Sequence, residues 1–380
     1  MFDTLLSDEQ RMLRDASREF CEKRVYPNAE AWDHAERIPE DVFKELAELG
    51  YLSMCVPEAH GGMELDTMAY AAVLEQFCRA SAGLGISISV HNSLVCGAIT
   101  RFGSEEQKKT YLPRLCTGEI GSYALTEPES GTDAGSIHLT AKSDGDHYVL
   151  NGEKIFVTNA DYAHLYVVFC STDPSAGSHG ISALVIERGT PGLQLGKPER
   201  KLGIKCSDTR AVSFTDVRVS KANRLGIEGQ GFKIALSLLD YGRIGVATQA
   251  LGIGESAFAE AVKYSKERKQ FGRPISEFQA IAFKLADMRT KLDATRLLID
   301  HAIRRQMAGE KFTRDAAEAK LFASETANWV ANEAVQIHGG YGYMKEYPVE
   351  RYFRDARITE IYEGTSEAQR IVISRAILAE

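Results

Sequence analysis

The sequence predicts a mainly α protein with a central β domain, and three observations carry that prediction. Helical periodicity with capping signals runs from residue 1 to about 120. Short β-branched and aromatic runs fill 121 to about 230, and long helical stripes return from 231 to 380. A chain of 380 residues also exceeds the usual size of a single core, so three domains are expected: helical over 1–120, β over 121–230 and a helical bundle over 231–380.

In the first part, Ser7-Asp8-Glu9-Gln10 and Ser104-Glu105-Glu106-Gln107 each match a capping box, in which the two outer side chains satisfy free amides at a helix start. Pro57 to Gly62 interrupts the helices, and Ala69 to Ala80 resumes them. In the second part, strands are expected at Tyr148-Val149-Leu150, Lys154 to Val157, Leu165 to Phe169, Ile181 to Glu187 and Ala211 to Val219. Asn151-Gly152 tolerates positive φ and predicts a tight hairpin between the first two runs, while Gly189-Thr-Pro-Gly192 predicts a turn. In the third part, Ile281, Leu285, Met288, Leu292, Thr295 and Leu298 form one helical stripe, most simply core. The spacing predicts a helix over 278–307, roughly 45 Å long at ~1.5 Å per residue, with Gly309 placed to end it and a second long helix over 310–337.

Composition bounds function. A net charge of −8 gives no basic footprint, which argues against nucleic acid and against an anionic membrane surface. No apolar run long enough to cross a bilayer stands out, and Met1-Phe2-Asp3 lacks a secretory signal, so a soluble intracellular protein is expected, cytoplasmic or in the mitochondrial matrix if a transit peptide has been removed. The 7 cysteines contain no Cys-x-x-Cys pair and read as reduced thiols; no His-x-x-x-His spacing occurs, so no metal is expected. Gly252-Ile-Gly254-Glu-Ser-Ala257 matches a dinucleotide fingerprint in letters only, because it sits inside a helical pattern with no strand before it.

Three segments carry chemistry. Ile361 and Tyr362 precede Glu363 and can shield its carboxylate from water, raising its pKa, while Gly364 permits close approach; Glu363 reads either as a catalytic base or as a solvated acid at the start of the last helix. Tyr123-Ala-Leu-Thr-Glu-Pro-Glu-Ser-Gly-Thr-Asp133, at the helical-to-β junction, reads as a binding loop or as a linker rich in turn residues. Asp240 and Arg243, three apart on one helix face, read as ligand contacts or as a surface ion pair.

The Tyr123–Asp133 segment closely resembles the first signature of the acyl-CoA dehydrogenases. Gln336-Ile-His-Gly-Gly-Tyr-Gly-Tyr343, Arg351-Tyr-Phe-Arg-Asp355 and Ile361-Tyr-Glu-Gly-Thr365 resemble their second, and Glu267-Arg-Lys-Gln-Phe-Gly272 and Asp240-Tyr-Gly-Arg243 extend the similarity over essentially the whole chain. The resemblance implies an N-terminal helical domain, a middle β-barrel and a C-terminal four-helix bundle. It implies FAD bound with help from a neighbouring subunit, hence a homotetramer. Tyr123, Leu125, Thr126 and Thr132 are then expected to line the flavin and thioester site, with Phe156 and Thr158 flanking the ring system; many relatives have tryptophan where this chain has Phe156. Arg268, Gln270 and Phe271, with Gln336, Gly339 and Gly340, are expected on the dinucleotide part of FAD, Arg268 also having a plain reading as an exposed residue of a charged run. Thr365 and Gln369 are further flavin candidates, and Thr132, Asp240, Arg243 and Gly364 are expected on the acyl-CoA.

Some family members carry their base on the helix at the position of Gly242 and lack it in the Tyr-Glu-Gly motif; here the helix position is empty, so the resemblance assigns the base to Glu363. The implied reaction takes a proton from the α carbon of an acyl-CoA and a hydride from the β carbon to flavin N5, giving the trans-2-enoyl-CoA. The Glu363 amide and a ribityl hydroxyl bind the thioester carbonyl, and electrons pass to an electron-transferring flavoprotein. His91-Asn92-Ser93-Leu94 and the overall similarity lean towards short-chain and short-branched substrates, as in fatty acid β-oxidation or branched-chain amino acid catabolism; His91 reads equally as a buried core histidine. Two other readings remain: a flavin oxidase or monooxygenase on the same scaffold, and a non-catalytic helical assembly protein.

Overall fold

The computed structural model describes residues 5–379; the Met1–Asp3 start lies outside them. Seven helices come first: α1 (Asp8–Phe20), α2 (Ala29–Ala35), α3 (Glu40–Glu48), α4 (Thr67–Ala80), α5 (Ala82–Ser89), α6 (Gly97–Phe102) and α7 (Glu105–Cys116). Both capping boxes form, at Ser7 with Gln10 and at Ser104 with Gln107. A π-helical segment, Val90–Cys96, joins α5 to α6, so that Ala82–Phe102 is one continuous helical run of 21 residues with mean hydropathy 1.4. It is long and apolar enough to cross a bilayer, which corrects the sequence reading, yet its apolar stretch is buried inside the protein, and only the last turn, at Arg101, is exposed. A helix that is apolar all round needs either lipid or a surrounding core, and this one has the core.

Eight strands follow: β1 (Ile120–Ala124), β2 (Thr140–Asp144), β3 (His147–Thr158), β4 (Ala163–Ser171), β5 (Ile181–Glu187), β6 (Leu193–Pro198), β7 (Thr209–Ser220) and β8 (Arg224–Leu225). They form one sheet in the order β6-β7-β3-β2-β4-β5-β8, with β1 parallel to β4. The ladder does not close on itself, so the middle part is an open, wrapped sheet and not the barrel expected. Successive side chains of a strand point to opposite faces. Leu165, Val167 and Phe169 of β4 accordingly join the helical core, while Tyr166, Val168 and Cys170 fill the interior of the β part. Burial on both faces explains why β4 reads as an unbroken apolar run.

The hairpin expected at Asn151-Gly152 is not there. The chain turns instead at Gly145, φ 61°, between β2 and β3, and β3 runs on through Asn151 and Gly152. Gly152, φ 143°, sits at a bulge where the β3–β7 register shifts, and an added Cβ there would lie 2.8 Å from the Leu139 side chain. Asn151 bonds across to the Asp216 backbone at 2.9 Å, so the pair marks a bulge and a close approach.

The remaining helices are α8 (Gly231–Glu267), α9 (Gln279–Met307), α10 (Thr313–His338), α11 (Val349–Ala356) and α12 (Ser366–Ala379), with a short hairpin of β9 (Lys269–Gln270) and β10 (Arg273–Pro274) after α8. Gly309, φ 72°, lies just past the end of α9. Met288, Leu292 and Thr295 of the α9 stripe are buried, with Ile281, Leu285 and Leu298 packed against the same core. From Gly242 to Ala257, α8 is buried on every side. Gly252 backs onto Cys78 of α4 and Gly254 onto Leu292 of α9, at 2.8 and 2.7 Å from an added Cβ. These glycines therefore serve helix packing, and α8 becomes the shared spine of both helical parts.

Candidate active site

A turn at Tyr362-Glu363-Gly364 stands between a 3-10 segment, Arg357–Glu360, and α12. Two successive residues are left-handed, Glu363 at φ 51° and Gly364 at φ 98°. For glutamate that conformation is strained and must be held by surrounding contacts. Three helices hold it. Gln369 of α12 donates to the Gly364 carbonyl at 2.8 Å, Lys320 of α10 donates to the same oxygen at 2.7 Å, and the Tyr362 hydroxyl donates to Gln249 of α8.

The Glu363 carboxylate points back towards α8, and its Oε2 is buried without a hydrogen-bond partner. An added Cβ on Gly242 would lie 1.9 Å from that oxygen, so Gly242 is the space the carboxylate occupies. Burial pushes the Glu363 carboxyl up to about 7, against the opposing pull of Lys320 and Arg243. Ile361 is 47% exposed and gives no shielding, contrary to the sequence reading. The cover comes from Tyr362 and from Leu94, which is 3.3 Å from the same hypothetical Cβ.

Glu363 and Gly364 line a cavity of about 850 Å³ between α8, α12 and the sheet. Tyr123, Leu125, Thr126, Thr132, Phe156 and Thr158 all line it, with Arg243 on the α8 side. Phe156 takes φ 55° and leaves its ring 62% exposed to this space. An aromatic residue held in a strained conformation with its face bare is set for a flat ligand. Ile86, Val90 and Leu94 add buried apolar side chains to the cavity wall. Nearby, His91 is fully buried, accepts the Gly121 amide on Nδ1 at 3.1 Å and donates from Nε2 to the Leu52 carbonyl at 2.8 Å. It is a neutral core histidine that fastens the π-helical segment to β1, and burial holds its pKa down near about 4.

The Leu125–Asp133 loop is fastened from below by a buried ion pair that the sequence reading missed. Lys154 of β3 donates to Glu127 at 2.6 Å and to the Leu125 carbonyl at 2.9 Å, and Glu127 also accepts the His138 and Leu139 amides. Lys154→Met strands the Glu127 charge. Such a loss costs about 3–5 kcal/mol, so a clear drop in thermal midpoint is expected, and an unchanged midpoint would refute the anchoring role.

Other expected site residues fall elsewhere. Asp240 is set behind the cavity wall, holding Arg243 at 2.5 Å and accepting from Thr313 at 2.7 Å, so it orients the arginine and does not itself face the cavity. Thr365 and Gln369 likewise sit behind the wall; the Thr365 hydroxyl accepts the Ala368 amide, and Gln369 braces the turn. Arg268, Gln270, Gly339 and Gly340 gather around a separate depression of about 550 Å³. Phe271 projects 94% exposed beside it, and Gln336 is exposed. In one chain this second group does not join the Glu363 cavity.

Models of the acyl-CoA dehydrogenase N-terminal, middle and C-terminal domains match residues 7–119, 122–217 and 229–378. The chain belongs to the acyl-CoA dehydrogenase family. It is 47% identical to the acyl-CoA dehydrogenase of Bacillus subtilis over 98% of this chain and 99% of that one. It is 48% identical to the mitochondrial short-chain specific acyl-CoA dehydrogenase of Mus musculus over 98% and 91%. Butyryl-CoA dehydrogenase from Megasphaera elsdenii has the same fold at TM-score 0.96 and 46% identity, covering 98% and 99% of the two chains. A chain in the structure of the electron transferring flavoprotein of Acidaminococcus fermentans reaches TM-score 0.97 at 49% identity, covering 99% of each.

Enzymes of the acyl-CoA dehydrogenase family are FAD-dependent oxidoreductases, and FAD is the cofactor of this member. The cavity fits a flavin: it has a bare aromatic face at Phe156, and the Tyr123 hydroxyl in its wall is buried with no partner.

Proposed function

We propose that this family member oxidises short or short-branched acyl-CoA thioesters to trans-2-enoyl-CoA, with Glu363 as the α-proton base. The observation that carries the reading is the partnerless, buried Oε2 of Glu363 in the wall of the cavity that also presents Phe156 and Tyr123. A carboxyl titrating at about 7 is ionised in part of the population at neutral pH and basic enough to take a proton from an acidified carbon. Among the described residues the Glu363 amide N–H makes no backbone hydrogen bond, so it is free to donate to a thioester oxygen as enolate charge develops. Arg243, braced by Asp240, sets a positive charge beside the base and the entering thioester. FAD, when bound against Phe156, supplies the hydride acceptor.

Acyl groups suit the apolar wall at Ile86, Val90 and Leu94, and short ones agree with relatives named short-chain specific. Arg268, Gln270, Gly339 and Gly340 fit the pyrophosphate end of FAD from a second copy, because arginine and bare backbone suit phosphate and these residues stand apart from the cavity in one chain. Exposed Phe271, Phe283 and Tyr343, 94%, 59% and 83% exposed, suit burial between copies, and the homotetramer is the assembly we infer. The electron acceptor we infer is an electron-transferring flavoprotein, in keeping with the Acidaminococcus structure. A cytoplasmic or mitochondrial-matrix setting goes with bacterial and mitochondrial relatives.

Anaerobic mixing of the FAD-loaded protein with butyryl-CoA should bleach the yellow colour rapidly, with isobutyryl- and 2-methylbutyryl-CoA tested beside it and octanoyl-CoA slower. No bleaching with any of the four would reject the dehydrogenase reading. Fast oxygen uptake without an added acceptor would move it to an oxidase.

A further inference from the structure

Lys320, one of the three contacts that hold the turn, is a buried cation, and a bond to a carbonyl does not by itself call for a charge there. It sits on α10 among Ala316, Ala317, Ala319 and Ala323, all buried, and is itself 0% exposed. Taking an ammonium out of water costs several kcal/mol unless it is compensated. Among the described residues its only hydrogen bond goes to the Gly364 carbonyl, at 2.7 Å, and no carboxylate lies within ion-pair distance. A lysine so placed is retained against its own solvation, and its bond to Gly364 sets the ammonium one residue along the chain from Glu363, whose charge acts on it most strongly after burial.

The geometry points to Lys320 as a positioning residue for the base. From beneath the turn its ammonium clamps the Gly364 carbonyl and supplies the buried positive charge against which Glu363 carries its negative one. The clamp shares one oxygen with Gln369, so the carbonyl accepts two bonds and the left-handed pair at 363 and 364 is fixed from both sides. The electrostatic half follows from the surroundings. The charges that act on the carboxylate are Lys320 from α10 and Arg243 from α8; the buried Tyr123 hydroxyl and the Tyr362 hydroxyl, which donates to Gln249, titrate far too high to carry charge near neutrality. Arg243 is already bonded to Asp240, which offsets part of its field. Lys320 has no such acid in contact; Glu360 and Glu367 act on it only at longer range. Lys320 and Arg243 both oppose the burial of Glu363, and Lys320 does so more strongly. Without Lys320 the carboxyl therefore stays protonated to higher pH.

This inference rests on Glu363 being the base, and its test separates the two claims. Lys320→Met keeps the volume and removes charge and donor; Lys320→Gln keeps a donor for the Gly364 carbonyl and removes only the charge. In the FAD-loaded enzyme without substrate, the Glu363 carboxyl is titrated by infrared difference spectroscopy, its band identified by its loss in Glu363→Gln. The midpoint, near about 7 in the unaltered enzyme, is expected to rise by about one pH unit or more in either Lys320 variant. The anaerobic bleaching rate with butyryl-CoA should shift with it, falling about tenfold at pH 6 and under twofold at pH 9 in Lys320→Gln, since a tenfold change accompanies each unit. An unmoved infrared midpoint in whichever variant folds overturns the electrostatic role. An even loss of rate across pH leaves Lys320 as a structural brace only and also overturns it. If the midpoint moves while Glu363→Gln still bleaches at the normal rate, the coupling stands and the base assignment fails.

Discussion

Glu363→Gln should retain FAD and the native assembly yet fail to abstract the α proton. Anaerobic bleaching by butyryl-CoA should slow by at least the 10² to 10⁴ that a positioned general base contributes, and more if no other group can substitute. Within the cavity the alternatives are poor: Arg243 is a cation, the Tyr123 hydroxyl is held far above its ordinary pKa by burial, and Asp133, the other carboxylate in the lining, is exposed and accepts from the Ser136 hydroxyl. In the unaltered enzyme the bleaching rate should rise with pH through about 7, as the carboxylate forms. Stability runs the other way. Burial raises the folded-state value above the ordinary 4.5, so the folded protein binds more protons between about 4.5 and 7, and the ionised carboxylate weakens the fold as pH climbs through that window. Glutamine escapes the effect. The variant should therefore match the unaltered protein near pH 4.5 and exceed it at pH 8 by roughly 3 kcal/mol, at about 1.4 kcal/mol per unit. Rapid bleaching by the variant would remove Glu363 as the base, and equal unfolding midpoints at pH 8 would remove the claim that its charge is buried at a cost.

The parts of this molecule that could be read from the sequence are those fixed by local physics. Ser7 and Ser104 cap helices because their side chains reach amides three residues on, and Gly309 follows α9 because glycine takes a left-handed angle without strain. Asn151-Gly152 failed as a hairpin signal because the same conformational freedom serves a bulge, and only the contact with Asp216 and Leu139 decides between the two. The cavity wall from Tyr123 to Thr158 was legible by family resemblance, since those residues lie on the end of β1, the loop that follows it and the end of β3. Lys320, Gln249 and the Lys154–Glu127 pair were not, because each acts on a partner far away in the chain. A local hint did exist: Lys320 shares the buried stripe of α10 with Ala316, Ala323 and Ala327, and a charge on an apolar face signals a partner. Asp240 and Arg243 were read as equals on one helix face, whereas the structure turns the arginine to the cavity and the aspartate to Thr313.

Gly242→Ala adds a single methyl group at the point where the structure leaves no room for it. The new Cβ would lie 1.9 Å from Glu363 Oε2, whereas its nearest apolar neighbour, the Leu94 side chain at 3.3 Å, need give by only a few tenths of an ångström. What must move is the free end of a flexible side chain, so the fold survives, and alanine in place of helical glycine even favours α8 by roughly 0.5–1 kcal/mol. The geometry does not survive. Displacing a base by about 1 Å from its reacting proton costs on the order of 10² in rate, and a loss of that size in the anaerobic half-reaction, with FAD content and thermal midpoint retained, is the expected result. The same contact makes a stronger demand. If position 242 points straight at the carboxylate, then a carboxylate hung from 242 should reach the same space from the opposite wall. Glu363→Gly should be inactive, and adding Gly242→Glu to it should recover at least tenfold in bleaching rate, whereas the same glutamate added to the unaltered chain should bring two carboxylates together, raise the pKa of one, and slow the reaction. Full activity in Gly242→Ala would show that the base acts from some other direction, and no recovery in the double variant would show that the two walls do not converge on one reacting carbon.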